Sequence, residues 1–247
     1  MWMDDVTERE EQKRDWYWFL LATVVPLWLC ARQLTLDFWF DEQYTLGTFV
    51  SKPFSEIVTS YPEPNNHVFY SLLLRPFFLV SAAEPVLRLP SLLFTAGTLL
   101  IVFLLGRRFG GVATGCAATA TLGLMQFFQN YTMQVRGYSL SMFLAAWLIY
   151  LATPADSHAR SLRRRVAICL VSAAFVYTLP TNLLFLSPTL LIAIVWTWWQ
   201  SHRWQAAALE LINWATGTLL GVLCYLPIWS DVRQHASRVD HPIMEAW

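Results

Sequence analysis

Six stretches of this chain contain no aspartate, glutamate, lysine or arginine: 16–31, 89–106, 109–135, 137–155, 166–202 and 211–230. A helix needs about 20 mostly apolar residues to cross a bilayer. The stretch 166–202 is long enough for two crossings, divided near Pro180-Thr181-Asn182. Seven crossings are therefore expected, in an all-α, polytopic integral membrane protein. Composition agrees, because charged residues make up 14% of the chain where a soluble domain carries about 25%. The hydrophobic share is 56%, with 13 Trp and 16 Phe, and the mean hydropathy is +0.41. Seventeen acids balance seventeen bases, so no basic stripe invites nucleic acid. Cys30, Cys116, Cys169 and Cys224 lie in or beside apolar runs without metal or CxxC spacing, and read as packed thiols.

Charge placement sets an orientation. Short basic loops face the cytoplasm, and the basic patches here are Arg107-Arg108 and Arg160, Arg163, Arg164 and Arg165. The charged segment 1–15 ends with Lys13-Arg14 beside the first apolar run and shows no small-residue cleavage site. It reads as a cytoplasmic tail before a retained span. With 1–15 and Arg107-Arg108 both inside, an even number of crossings must separate them. Segments 16–33 and 89–106 supply two, so the apolar stretch 67–83 is expected not to be a simple span (the alternative is a real crossing with Arg75 buried). Its Arg75-Pro76 pair points the same way. It reads as one or two juxtamembrane helices in the outer interface, with His67, Ser71 and Arg75 sharing a polar face. The module then occupies 16–229, with a long outer loop at 34–88. An extracytoplasmic tail, or the start of a further outer loop, follows at 230–247 with Asp231, Arg233 and Asp240.

That outer loop collects candidate chemistry, as outer loops on a rigid scaffold do. Asp41-Glu42 follows an aromatic run in LDFWFDEQYTLGTF. Such carboxylates can act as a general base or bind a divalent cation; they also read as a hydrated surface pair. Neighbours on a helix point about 100° apart, which favours separate partners. In YPEPNNHVFYSLLLR, Pro62 and Pro64 limit helix, Asn65-Asn66 can cap the helix that follows, and His67 reads as a proton carrier or a polar interface residue. Arg136 stands alone at the outer junction of two apolar runs. It can pair with Asp41, hold a phosphate, or snorkel at the interface. The acceptor pattern Asn130-Tyr131-Thr132 lies too near the membrane for glycosylation. No P-loop, Rossmann glycine fingerprint, HExxH motif or nucleophile elbow is present.

In order and spacing these features resemble the polytopic GT-C glycosyltransferases, in particular the protein-mannosyltransferase and aminoarabinose-transferase type. The resemblance covers about residues 15–200. It rests on Asp41-Glu42 after the first span, Asn66-His67 with Tyr70 leading a juxtamembrane helix, RLPSLLFTAGTLLIVFLLGRRFGG at 88–111, YTMQVRGYSLSMFLAAWLIYL at 131–151, and Tyr177-Thr178. It implies a sugar donor carried on a polyprenyl phosphate, with membrane lipid as surroundings, and an active face outside a bacterial inner (plasma) membrane. Asp41 would be the base for an acceptor hydroxyl and Glu42 its aid. His67, Tyr70, Arg75, Arg88, Arg136 and Tyr138 would bind the donor phosphate or substrate. Relatives of this type work with or without a metal, and Asp41 would be the ligand of a divalent cation here.

The resemblance also departs from its pattern. Relatives usually continue through more spans and an outer domain, so this chain is expected to be an N-terminal portion, one half of a split enzyme with a C-terminal partner chain, or an inactive relative. Many relatives also carry proline after His67, where this chain has Val68. The competing reading is a non-catalytic membrane subunit that binds lipid-linked sugar or a partner chain. A transporter is disfavoured because charges are nearly absent within the apolar runs.

Overall fold

The computed structural model describes residues 2–61, 66–153 and 161–238. Pro62, Glu63, Pro64, Asn65, Arg160 and Asp240 therefore lie outside the described residues. Every regular element is helical: α1 (Trp2–Ala31), α2 (Phe40–Thr45), a π-helical turn (Leu46–Val50), α3 (Phe54–Thr59), α4 (Val68–Val80), α5 (Glu84–Leu124), α6 (Gln126–Thr132), α7 (Tyr138–Ala152), α8 (Leu162–Thr178), α9 (Asn182–Ser201), α10 (Trp204–Leu223) and α11 (Trp229–Arg238). Among the described residues, α5, α9 and α10 are long and apolar enough to cross a membrane, while α4 and α7 are apolar but shorter. Large apolar side chains lie bare on the outside, including Leu20, Leu21, Val24 and Val25 of α1 and Leu184, Phe185, Leu191 and Ile192 of α9. Such surfaces are costly in water and matched by hydrocarbon. This is an all-α membrane protein with several long apolar helices.

The helix α5 has 41 residues, which would extend about 60 Å, twice the hydrocarbon core. It does not run straight. Gly110 (φ −149°) and Gly111 (φ 80°, ψ −177°) break the helical geometry, and the chain folds back on itself. Thr119 on the returning arm donates its hydroxyl to the Leu99 carbonyl, 3.4 Å away. A Cβ on Gly106 would sit 2.7 Å from the Gly115 Cα, so the two arms meet through bare backbone. The small-residue stretch 111–120 thus packs as expected, and so do Gly217 and Gly221. A Cβ on those two would lie 2.5 Å from the Cys169 carbonyl and 2.7 Å from the Ala173 carbonyl, respectively.

Polar contacts sort the helix ends into two groups. At one end Arg107 pairs with Asp15 at 2.7 Å. Arg108 donates to the carbonyls of Tyr150 and Thr153. Arg164 donates to the Leu151 carbonyl and forms a buried pair with Glu210. At the other end the segment after α1 meets the start of α5, the 133–138 segment and the ends of α8 and α10. There the Tyr225 hydroxyl reaches the carbonyls of Val176 and Tyr177, and Asp231 accepts the Tyr61 N–H at 3.0 Å.

Three expectations change. The first helix starts at Trp2 rather than at the apolar run, because nothing in 1–15 is a helix breaker. The polar face of α4 turns inward, with His67 and Ser71 buried and Arg75 donating to the Val50 carbonyl at 2.8 Å. Its exposed end is instead apolar, at Leu79 and Val80. This single helix of 13 residues spans only about 20 Å. Third, Cys224 is exposed, whereas Cys30 is buried.

Gly111 has open space around the position of a Cβ, so replacing it tests the backbone alone. Gly111→Ala is expected to cost about 1–3 kcal/mol, read as a lower thermal midpoint of the detergent-solubilised chain. An unchanged midpoint would mean that the turn does not depend on φ > 0.

Candidate functional site

The candidate residues gather where the post-α1 segment meets the 133–138 segment. The short helix α2 carries Asp41 and Glu42 in its first turn, and being adjacent they diverge. Glu42 is fully buried and Arg88, from the first turns of α5, is 3% exposed; their charged ends are 2.9 Å apart. Arg88 also donates to the carbonyls of Gln33, Leu36 and Asp37, in the turn that follows α1. Glu42 accepts two backbone N–H groups besides, from Trp39 at 2.8 Å and Val135 at 2.7 Å. Its carboxylate is thus consumed by structure.

Asp41 is the opposite case. Its side chain is 56% exposed and accepts one charge-assisted hydrogen bond from Arg136 Nη1 at 3.0 Å. The Arg136 guanidinium lies 4.8 Å from the centre of the Tyr138 ring, within cation–π range. The Tyr138 ring in turn meets His67 edge-on, 5.1 Å between centroids.

His67 sits at the N-cap of α4 and is buried. Its Nδ1 accepts the Gly137 N–H at 2.6 Å, which places the ring proton on Nε2. Burial first, and the Arg136 charge second, push its imidazole down to about 3. His67 is therefore a neutral acceptor at ordinary pH, not a proton carrier. Glycine at 137 is required by space, since a Cβ there would lie 2.9 Å from both His67 Nδ1 and Thr178 Cγ2.

Tyr70 is buried, with its hydroxyl 2.6 Å from Ser91 Oγ. Ser91 spends its only proton on the Gln134 carbonyl at 2.8 Å, so Tyr70 is the donor in the pair. Asn66 Oδ1 accepts the Ser71 hydroxyl at 3.3 Å instead of capping α4. The Asn130 acceptor pattern lies within α6, where the Thr132 hydroxyl bonds the Phe128 carbonyl.

The structure therefore brings together Asp41, Glu42, His67, Tyr70, Arg88, Arg136 and Tyr138. Arg75 is elsewhere: it bonds the Val50 carbonyl and faces the Phe54 ring at 5.5 Å. Sequence reasoning missed Ser91 and the main-chain N–H groups of Val135 and Gly137. It also missed a cavity of about 250 Å³ beside the Glu42–Arg88 pair, walled by Trp39 and the amides of Gln33, Asn130 and Gln134. Among the described residues no three His, Cys, Asp or Glu side chains gather as a metal cluster. A divalent cation at Asp41 would have to draw its other ligands from substrate oxygens and water.

No protein-family model matches this chain, and neither a curated protein nor a solved structure matches it.

The His67 environment makes a prediction about stability. The folded state holds the imidazole value below its ordinary 6.5, so between those two values the unfolded chain binds the extra proton. Stability is complete above about pH 6.5 and falls as pH drops toward the folded value, by at most about 1.4 kcal/mol per pH unit. The thermal midpoint should fall between pH 7 and pH 4.5, and less steeply in His67→Asn. Equal slopes in the two proteins would mean that His67 does not carry the effect.

Proposed function

We propose that this chain is a GT-C-like glycosyltransferase module that moves a sugar from a polyprenyl-phosphate donor to an acceptor hydroxyl. The observation carrying this reading is the Asp41–Arg136 pair: an exposed carboxylate 3.0 Å from a guanidinium that is itself mostly buried, at one end of an apolar helical bundle. A lipid-linked donor needs this arrangement, with its tail in hydrocarbon and its sugar-phosphate beside charged groups at the edge. The order of motifs from Asp41 to Thr178 supports the same reading. The cavity beside Trp39, with its three amides, suits a neutral polyhydroxylated ring.

In this mechanism the acceptor hydroxyl attacks the anomeric carbon while the bond from that carbon to the phosphate oxygen breaks. The acceptor proton passes to Asp41, and the polyprenyl phosphate leaves with the bonding pair, giving inversion at the anomeric carbon. Arg136 compensates the charge that grows on the departing phosphate. Glu42 and Arg88 hold the segment that presents Asp41.

The proposed topology has seven crossings. They are α1, the two arms of α5 with α6 completing the second, and α7 to α10. The N-terminus is cytoplasmic and the Asp41 end extracytoplasmic. The two groups of helix ends support this parity, since Asp15, Arg107, Arg108 and Arg164 share one end. A second reading is a binding subunit without turnover. It is favoured by the hold of Arg136 on Asp41, which occupies the carboxylate that an acceptor hydroxyl would need.

Two experiments test the proposal. The chain in nanodiscs is given undecaprenyl-phosphate-linked mannose, glucose or aminoarabinose. Asp41→Asn is expected to lower transfer by about 10²–10⁴-fold while lipid binding persists. Transfer at the normal rate by that variant would remove Asp41 as base. Binding without turnover by the unsubstituted chain would select the second reading. For orientation, Ser55→Cys should react with an impermeant external maleimide and Arg163→Cys should not, each in a chain without native cysteines. The reverse pattern would invert the topology.

A further inference from the structure

Arg136 sits between α6 and α7 in a short segment outside both helices, with helical bonds at its ends, at the Met133 N–H and the Gly137 carbonyl. Its neighbours are nevertheless fixed one by one. The Gln134 carbonyl accepts from Ser91 at 2.8 Å, the Val135 N–H is taken by Glu42 Oε1 at 2.7 Å, and the Gly137 N–H is taken by His67 Nδ1 at 2.6 Å. Both N–H acceptors are buried side chains, and Arg136 is the single residue between the N–H groups they hold. They come from separate elements, Glu42 from α2 and His67 from the N-cap of α4.

A buried acceptor aimed at a buried donor is costly to displace, because each group would lose its only replacement for water. Two such bonds, flanking one residue, remove the freedom of its backbone to rotate. The Arg136 side chain then has a fixed origin, from which it reaches Asp41 at 3.0 Å with Tyr138 against its guanidinium. Neither is free to take a proton from a substrate without giving up a bond of the bracket. The second oxygen of Glu42 is shared by Arg88 and the Trp39 N–H, and the remaining nitrogen of His67 carries its proton as a consequence of the Nδ1 bond.

We propose that Glu42 and His67 are positioning residues, two buried acceptors that bracket Arg136 by its flanking backbone N–H groups and so set its guanidinium against Asp41. What Arg136 then does for a substrate rests on the glycosyltransferase reading above; the bracket itself does not. An angular error at the Arg136 backbone is amplified along its long side chain, and misplacement of about 1 Å in such a group can cost about 10²-fold in rate. Replacing Glu42 would strand the Arg88 charge in a buried site, so His67 is the place to test the bracket.

The full chain in nanodiscs is compared as His67→Asn and His67→Gln. Asparagine carries its oxygen near the Nδ1 position and can accept the Gly137 N–H. Glutamine carries it one bond further out, near Nε2, and cannot. The first readout needs no activity: modification of Arg136 by p-hydroxyphenylglyoxal, followed by peptide mass spectrometry and normalised to the exposed Arg163. The starting chain and His67→Asn should be slow. His67→Gln should react about tenfold faster, the factor equivalent to losing one buried hydrogen bond of about 1.4 kcal/mol. Equal rates in the two variants, or protection by Gln and not by Asn, would overturn the bracket.

The second readout is transfer from the undecaprenyl-phosphate sugars. His67→Asn should stay within a few-fold of the starting chain and His67→Gln should fall by about 10²-fold in kcat. In the Arg136→Lys background His67→Gln should cost little more, as expected of residues acting through one group. Full additivity would overturn the positioning role. If the starting chain transfers none of these sugars, the glycosyltransferase reading fails, and the labelling order alone still decides the bracket.

Discussion

The Glu42–Arg88 pair holds the Asp41 end of this protein together. An ion pair taken out of water is stable only when its remaining donors and acceptors are also engaged, and here they are. Arg88 gathers the carbonyls of Gln33, Leu36 and Asp37, while Glu42 gathers the N–H groups of Trp39 and Val135. One desolvated pair thereby joins the end of α1, the turn into α2, the start of α5 and the approach to α7. With either charge removed, the other is left buried without compensation, and all four chain segments lose a common point of attachment. The Asp41–Arg136 pair is a different kind of object. Its guanidinium is buried while its carboxylate is 56% exposed, which leaves the acid open to other partners.

The two ends of the bundle use charge differently. At the Asp15–Arg107 end, arginines terminate helices by taking up carbonyls, as Arg108 does at Tyr150 and Thr153 and Arg164 at Leu151. Cations suit helix C-termini because the orphaned carbonyls there carry partial negative charge. At the opposite end charges are spent on fixing irregular backbone. A bundle locked by helix termination on one side and by buried acceptors on the other presents the half-exposed Asp41 carboxylate on the second side.

Much of this was legible in the sequence. Charge-free runs marked the apolar helices, and the Arg107-Arg108 patch marked the junction between the two arms of α5. The parity of basic loops kept α4 from being read as a span. The pairing of Asp41 with Arg136 was open to inference because Arg136 was a lone cation at an apolar boundary and Asp41 an acid at another. Other parts were hidden for a physical reason. The Val135 and Gly137 N–H groups belong to the main chain, which every residue carries, so their selection by Glu42 and His67 leaves no mark in residue type. Arg75 looked equivalent to Arg88, both being arginines near the outer end. Only packing showed that one faces Glu42 and the other Phe54. The helical spacing of His67, Ser71 and Arg75 established a shared face, and spacing alone does not say whether such a face turns to water or to protein.

The contacts that build the site span long distances along the chain: 93 residues between Glu42 and Val135, 95 between Asp41 and Arg136, and 70 between His67 and Gly137. The contacts within the α5 hairpin are far more local. During synthesis the hairpin can therefore close early, whereas Asp41, Glu42 and His67 emerge long before their partners in the 135–137 segment exist. The segment after α1 must wait until residues 134–138 have been delivered to the same end of the bundle. A chain halted before Val135 holds Asp41, Glu42 and His67 and none of their contacts with that segment.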